Sequence, residues 1–359
     1  MNGLLSSLAR INHALEKIMP LITPSAIVVG VLLDERLRSF EQWVPWIFAV
    51  MTLIGSLKTS FADMLRVIAR PGKLIALMLI LHAVMPLIGW GAGHLFFPDD
   101  PYLITGYVLL FAIPTGVVSV VWVTIYGGNL ALTLALILID TLLSPLLVPA
   151  TLHVLMGTTV PIETWSMMKG LLWMVVLPSI AGMLLNQWTR GGVNRTWGPP
   201  LAPLVKVGLF VVVAINGSTI AYDLKHADAK LLGVIFVTLI TVILGYLIGW
   251  GVSAWRRWGR EDSIAVQFNS GMRNLSAGAV LAIQYFPAAV SLPVISGMLF
   301  QQILAATFGY RIGRSQRKAE TEAEVKAEVK AEVKAEVKAE VQADGLAEEA
   351  KTGAVSERK

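Results

Sequence analysis

The sequence predicts an all-α integral membrane protein with ten transmembrane helices. Its composition is the first reason, because 55% of the 359 residues are hydrophobic and only 15% are charged, unlike an ordinary soluble domain. The second reason is that apolar windows of about 20 residues, the length that crosses a bilayer, recur as far as Gly313. The third is that basic residues gather between these windows, as orientation signals do. We therefore expect a lipid bilayer around the chain and no nucleic-acid partner.

The windows define ten spans and three regions of the chain. A basic lead-in, 1–17, precedes a ten-helix domain, 18–313, and a charged tail, 314–359, follows it. The expected spans are 18–34, 42–60, 73–97, 102–126, 129–156, 163–187, 200–222, 229–254, 262–285 and 288–312.

The distribution of Lys and Arg predicts the orientation of these spans. If the ten spans alternate, most basic clusters fall on one side of the membrane, which the positive-inside rule makes cytoplasmic. Both termini are then cytoplasmic, and we expect a multi-pass protein of the plasma membrane. The amphipathic stretch Phe61–Pro71 is expected to lie along the cytoplasmic interface. The basic residues on that side are Arg10, Lys17, Lys58, Arg66, Arg70, Lys73, Arg190, Arg195, Arg256, Arg257, Arg260, Arg311, Arg314, Arg317 and Lys318.

The tail consists largely of a four-residue repeat. Four AEVK units run from Ala323 to Lys338, and in a helix this period would stack like charges at i,i+4. We expect a solvated segment without a core or chemistry of its own.

The ninth span carries polar residues in its middle. Asn269, Ser270, Gly271, Arg273 and Asn274 lie between apolar ends, and an arginine at the bilayer centre costs roughly 2.5–3.5 kcal/mol on insertion scales. Such a residue normally faces a cavity, a counter-charge or a ligand. Glycine among short polar side chains indicates a broken helix, whose freed backbone is tolerated only where it is buried in protein or lines a site.

A similar interruption occurs in the fourth span. Pro114 removes a backbone donor and Gly116 loosens the next turn, and the run from Thr115 to Ser119 matches the pattern of 270–274. The fourth and ninth spans hold the same place in two halves of five, 18–156 and 163–312. Because five is odd, the second half is inverted, and paired interruptions of this kind indicate a transport site where the broken helices cross. The alternative is that Pro114 and Gly271 are packing kinks.

Other classes of function are less well supported by the residues. Without cysteine there is no disulfide, thiolate metal site or cysteine nucleophile, and we find no H-E-x-x-H or G-x-S-x-G motif and no phosphate-binding loop. We therefore predict a protein that is not an enzyme. A membrane sensor that binds without transporting is the alternative within the same fold.

The sequence resembles the bile acid:sodium symporter family between about Ile47 and Gly313. The resemblance implies ten helices in a core and a panel domain, with two sodium ions at the crossing of the broken helices. It is carried by GSLKTSF (55–61), RPGK (70–73), AVMP (83–86), PTGVVS (114–119), GGNLALTLALILIDTLLSPLLVP (127–149) and SGMRN (270–274).

The family's ion ligands are only partly retained here. Ser119 and Thr133 keep hydroxyl positions, while Val120, Ile137 and Leu81 replace polar ones. In the ninth span Asn269 stands where the family has glutamate and Arg273 where it has glutamine; Gly271, Met272 and Asn274 remain. The resemblance thus implies a weak residual sodium site of Ser119, Thr133 and Asn269. Sodium prefers hard oxygens including a carboxylate, and here the carboxylate is gone.

These departures suggest a site with a fixed cation. Arg273 is hypothesised to hold the crossing together or to face an anionic substrate, with Asp140 in the fifth span as its counter-charge. If Asp140 titrates, protons replace sodium as the coupling ion; otherwise the pair is a static salt bridge. We expect no organic cofactor, with sodium or a proton as coupling ion, and a small organic anion as the substrate. The candidate binding residues are Thr115, Gly116, Ser119, Thr133, Asp140, Asn269, Ser270, Gly271, Met272, Arg273 and Asn274.

Overall fold

The structure is a computed structural model that describes residues 12, 15, 18–59, 71–226 and 228–314. Throughout these residues the regular structure is helical, and the β-pairing consists of one isolated bridge. Six helices are long and apolar enough to cross a membrane, which agrees with a multi-pass membrane protein. They are α3 (Gly72–Phe96), α6 (Leu130–Met156), α7 (Thr164–Trp188), α8 (Gly192–Thr219), α9 (Ala229–Trp255) and α12 (Ala288–Arg314).

The other predicted spans contain shorter helices. The first two are α1 (Met19–Leu32) and α2 (Val44–Ser56), of 14 and 13 residues. The fourth is divided into α4 (Pro101–Ala112) and α5 (Ser119–Ile125), and the ninth into α10 (Arg260–Gly271) and α11 (Leu275–Tyr285). These four expected spans consist of helices shorter than the six long ones, so ten crossings stay a prediction.

One helix begins more than two turns before the span expected from the apolar windows. The seventh span was expected to start at 200. Instead α8 begins at Gly192 and continues through Pro199, Pro200 and Pro203. The preceding helix ends at Trp188, and Arg190 and Gly191 are then left-handed, with φ of 50° and 82°. Gly191, which adopts this conformation without strain, directly precedes the new helix.

Close helix packing surrounds the middle of α8. A Cβ on Gly30 of α1 would lie 2.2 Å from the Ala214 carbonyl oxygen of α8. Small residues allow this approach, which replaces hydrophobic burial as the source of helix association in lipid. The adjoining residues 212–218 of α8 are all buried.

Two helices contain a π-helical turn next to a proline. In α3 the turn is Ile80–Val84 and Pro86 follows it; in α7 it is Leu172–Val176, followed by Pro178. A π turn inserts an extra residue and re-aims the side chains around it, and such turns are frequent at functional sites. The turn in α3 contains His82.

A polar link joins the ends of three helices away from the crossing. The Asp262 carboxylate of α10 accepts hydrogen bonds from Lys73 of α3 and from the Asn129 amide, the latter at 2.8 Å. Asn129 in turn caps α6 by accepting the Leu132 amide at 2.9 Å. Because the link fixes the starts of α6 and α10, it sets the register in which their polar residues meet.

Asp100 caps the start of α4 and gives a testable pH dependence. Its carboxylate accepts the Tyr102 and Leu103 amides at 3.1 and 3.0 Å and the Lys230 ammonium at 2.7 Å. Partial burial alone would raise the pKa of Asp100, but the Lys230 and backbone hydrogen bonds outweigh it and lower the pKa below its ordinary value. The carboxylate therefore stabilises the fold above the ordinary aspartate pKa, and this stabilisation is lost as the pH falls through the lower pKa of the folded state.

Asp100→Asn should accordingly be less stable than the wild type at neutral pH. We expect the difference in unfolding temperature to stay constant down to about pH 4 and to shrink on further acidification. Thermal unfolding in detergent between pH 7 and pH 3 measures it, with exposed Asp99→Asn as control. A difference that is as large at pH 3 as at pH 7 would contradict the assignment.

Three predictions fall mainly on residues outside the described ranges. These are the lead-in 1–17, apart from 12 and 15, the interfacial stretch Phe61–Pro71, apart from Pro71 at the start of a helix, and the tail beyond Arg314. Contacts within the chain group Met1–Phe308 as one unit and Gly309–Lys359 as another. Of the second unit the structure describes only residues 309–314, which are helical. The regional division 1–17, 18–313 and 314–359 stays a prediction.

Candidate functional site

The two helix interruptions predicted from the sequence are present and contact each other. Residues 113–118 separate α4 from α5, residues 272–274 separate α10 from α11, and Thr115 and Arg273 form an antiparallel bridge. The Gly116 amide donates to the Met272 carbonyl at 3.0 Å, and the Asn274 amide donates to the Pro114 carbonyl at 2.8 Å. Backbone groups freed by each break are thus satisfied by the other, as a low-dielectric setting requires. We call residues 113–118 and 272–274 the crossing.

The sequence of the crossing accounts for its geometry. Pro114 cannot donate a helical hydrogen bond, and Ile113 before it is extended, with ψ of 150°, as a residue before proline prefers. Gly116 lies against the other segment, where an added Cβ would be 2.8 Å from the Arg273 carbonyl oxygen. The segments can approach this closely because position 116 has no side chain.

Gly116→Ala should therefore separate the two segments. The obstructing atom belongs to the backbone and cannot rotate away, so we expect a lower unfolding temperature and at least about a tenfold loss of solute exchange in proteoliposomes, equivalent to about 1.4 kcal/mol. The matched control is Gly251→Ala in α9, where nothing lies within 4 Å of an added Cβ and alanine should slightly stabilise the helix. Equal behaviour of the two variants would contradict a tight crossing.

Asp140 of α6 is fully buried and fixes one side of the crossing. Its Oδ2 accepts the Thr115 amide at 2.7 Å and the Thr115 hydroxyl at 2.8 Å. Its Oδ1 lies 2.7 Å from His82 Nε2. The carboxylate therefore joins α3, α6 and the crossing through hydrogen bonds to both of its oxygens.

Arg273 is 2% exposed and binds backbone carbonyls rather than Asp140. Its Nη2 donates to the Leu81 carbonyl at 3.0 Å and its Nη1 to the Ile113 carbonyl at 3.4 Å. The two charges interact electrostatically, but the side chain in direct contact with the Asp140 carboxylate is His82. The direct salt bridge expected from the sequence is thus replaced, because the π turn brings His82 to Asp140 and the break in α4 frees carbonyls for the guanidinium.

The predicted residual sodium ligands come together but bind one another. Ser119 donates to Asn269 Oδ1 at 2.8 Å, and the Asn269 amino group donates to Thr133 Oγ1 at 2.9 Å and to the Ala265 carbonyl at 2.7 Å. An amino group thus occupies the space between two oxygens that a cation would need. As placed, these residues do not fit a sodium ion, and the described chain holds no cluster of three His, Cys, Asp or Glu for a metal.

The remaining candidate residues pack inside the fold, cap a helix or, in one case, carry a polar group without a partner among the described residues. Gly271 packs on the Tyr246 ring, 2.4 Å from where its Cβ would be, and Met272 is fully buried. Asn274 caps α11 by accepting the Ala277 amide at 3.3 Å. Ser270 has a buried hydroxyl without a partner among the described residues.

The sequence analysis missed one residue of the site, Gln301 of α12. Its side-chain oxygen accepts the Arg273 amide at 2.9 Å, and Gln302 beside it accepts the Trp122 indole N–H at 3.1 Å. Both glutamines are nearly buried. Adjacent glutamines inside an apolar span are a signal that could have pointed to them, because polar side chains at membrane depth are retained for a partner.

Two interrupted helices that cross inside a helical multi-pass protein are the arrangement of secondary transporters. The comparisons agree with this class. The chain belongs to the SBF-like CPA transporter family, whose pattern matches residues 36–310, and the resemblance to bile acid:sodium symporters is thereby confirmed.

Several curated proteins are similar over most of the chain. The uncharacterized protein YbaS of Bacillus subtilis (strain 168) is 45% identical over 84% of this chain and 98% of its own length. The uncharacterized sodium-dependent transporter YocS of the same organism is 25% identical over 74% of this chain and 83% of its own. The probable sodium/metabolite cotransporter BASS1 of Arabidopsis thaliana, chloroplastic, is 27% identical over 73% and 66%.

Proposed function

We propose that this protein is a secondary active transporter that moves a small organic anion by alternating access. The observation that carries the proposal is the crossing, where a buried arginine lies between two interrupted helices and has no direct carboxylate partner among the described residues. A permanent cation held at such a place is an attractive partner for a substrate carboxylate.

The proposed architecture has ten spans in two inverted repeats, 18–156 and 163–312. Its support is that the two breaks occur in the fourth and ninth segments and pair with each other across an antiparallel bridge. In carriers built this way, one repeat moves against the other around a fixed central site. The placement of Lys and Arg favours a plasma membrane protein with both termini in the cytoplasm.

An open donor on Arg273 supports an anionic substrate. Its Nε is buried and has no partner among the described residues, whereas both terminal nitrogens are bound to carbonyls. A guanidinium normally uses its donors in a planar fork that suits a carboxylate. The unused N–H, with the unpartnered Ser270 hydroxyl nearby in sequence, provides donors for such a group.

We further propose that transport does not require sodium. Relatives are named sodium-dependent or sodium/metabolite cotransporters, but at this crossing the Asn269 amino group and the Arg273 guanidinium supply the positive dipole and charge. These protein donors thus provide permanently the positive charge that a bound cation would provide only while it is bound.

A two-stage experiment tests the proposal. Purified protein is screened by thermal shift against a panel of organic anions, from lactate and gluconate to taurocholate, and each stabilising anion is tested for counterflow in proteoliposomes with sodium or with choline. We expect exchange of at least one anion at similar rates in both salts. Strict sodium dependence would overturn the fixed-cation proposal, and binding without exchange would favour a sensor over a carrier.

A further inference from the structure

The imidazole of His82 lies directly against the Asp140 carboxylate. The two side chains approach to 2.7 Å, and they are 10% and 0% exposed. A π turn places the imidazole there, and π turns are frequent at functional sites. The pair lies at the crossing because Asp140 also binds the Thr115 amide.

The hydrogen bonds indicate which atom is free to take the proton. Both oxygens of Asp140 face donors, namely His82 Nε2 and the amide and hydroxyl of Thr115, which favours an ionised carboxylate. His82 Nε2 then carries a hydrogen. His82 Nδ1 is buried without a partner in the described chain, so it is an unused acceptor on the side chain best suited to exchange protons near neutral pH.

The charges around the pair match the binding of a proton together with an anion. Among the described residues of the elements packed around His82, the charged side chains that face it are Asp140 of α6 and Arg273 of the crossing. Lys73, at the far end of α3, is paired with Asp262. With neutral His82, the charges of Asp140 and Arg273 cancel. A bound monoanion would leave an uncompensated negative charge in a low-dielectric site, and one proton on His82 restores neutrality.

We propose that His82 and Asp140 form a proton-binding site of the carrier, and that a proton taken up at His82 Nδ1 accompanies the organic anion. This inference rests on the proposed function. The proton comes from the aqueous phase and is released to the opposite phase with the anion. Protonation of His82 affects the crossing through Asp140. An imidazolium forms a stronger hydrogen bond to Oδ1, and this weakens the hydrogen bonds that Oδ2 accepts from Thr115.

The proton site is tested first without any transport. Protein labelled with ¹⁵N-histidine in nanodiscs is titrated from pH 8 to pH 5 by NMR, and His82 is assigned by comparison with His82→Gln. Glutamine can donate the same hydrogen bond to Asp140 but cannot take a proton. We expect the His82 Nδ1 resonance to shift as it protonates; a resonance that is constant over this range overturns the site.

The coupling is tested with the anion that the thermal-shift screen identifies. In proteoliposomes an inward proton gradient should raise uptake of the anion by the wild type, and His82→Gln should lose this increase, measured as the ratio of uptake with and without the gradient. His94→Gln is the control, since His94 is an exposed histidine of the same helix, bonded to the Trp90 carbonyl. The same increase in His82→Gln overturns the coupling. Failure of the wild type to exchange any anion overturns the transport function instead, and the NMR titration still decides the proton site.

Discussion

Arg273→Gln should reduce anion exchange by about two orders of magnitude. Hydrogen bonds to charged groups contribute roughly 1.5–3 kcal/mol each, and the guanidinium makes two of them, to Leu81 and Ile113. Loss of about 3 kcal/mol corresponds to on the order of a hundredfold. The variant also leaves Asp140 without the nearby positive charge. Counterflow of the screened anion at equal protein content measures the effect.

Two further variants separate charge from geometry in this experiment. Arg273→Lys keeps the positive charge but cannot bind two carbonyls in one plane, so it should recover only a small part of the exchange. Arg260→Gln removes an exposed arginine from the start of α10 and should exchange as the wild type does. If Arg273→Gln exchanges at more than about a third of the wild-type rate, the fixed cation is not needed.

The two interruptions could be predicted because each is determined by a few adjacent residues of the sequence. Pro114 and Gly116 break one apolar span, and Gly271 among polar residues breaks another. Proline and glycine change the backbone at their own positions, so each break can be recognised from a few neighbouring residues. The contact between the two breaks could be predicted because the breaks hold the same place in two halves of five spans each. That prediction uses only the order of the spans along the chain and no side-chain contacts.

The pairing of charges could not be predicted in the same way. Which partner Asp140 takes depends on the rotation of α3 relative to α6, and the π turn at Ile80–Val84 changes that rotation. Sequence periodicity assumes 3.6 residues per turn throughout a helix, so it does not register an inserted residue. The sequence analysis therefore paired Asp140 with Arg273, whereas in the structure Asp140 Oδ1 lies 2.7 Å from His82 Nε2.

The start of α8 shows the same limit for backbone signals. Proline normally marks a first turn, yet Pro199, Pro200 and Pro203 lie inside the helix. The determining feature is the left-handed residue Gly191. The pair Gly191 and Gly192 does not reveal from sequence which glycine adopts the left-handed φ, so the boundary needed the structure.

Asp140→Asn should be the most damaging single substitution at the crossing. The amide has one acceptor oxygen, so it can serve Thr115 or His82 but not both. Its amino group must then face either the Thr115 amide, which is also a donor, or His82 Nε2, which would have to give up its hydrogen. The charge of Arg273 is left uncompensated in either case, and breaking a buried charge arrangement typically costs about 3–5 kcal/mol.

We therefore expect Asp140→Asn to lower the free energy of unfolding by about 3 kcal/mol and to abolish exchange. Urea-induced unfolding in mild detergent and counterflow measure the two effects. Ser144→Ala is the matched control, because Ser144 is a buried polar residue one turn along the same helix whose hydroxyl bonds only the Thr141 carbonyl. If Asp140→Asn is as stable as Ser144→Ala but still inactive, the carboxylate is required for transport rather than for folding. If it is both stable and active, Asp140 does not organise the crossing, and this outcome contradicts the proposed proton site of His82 and Asp140.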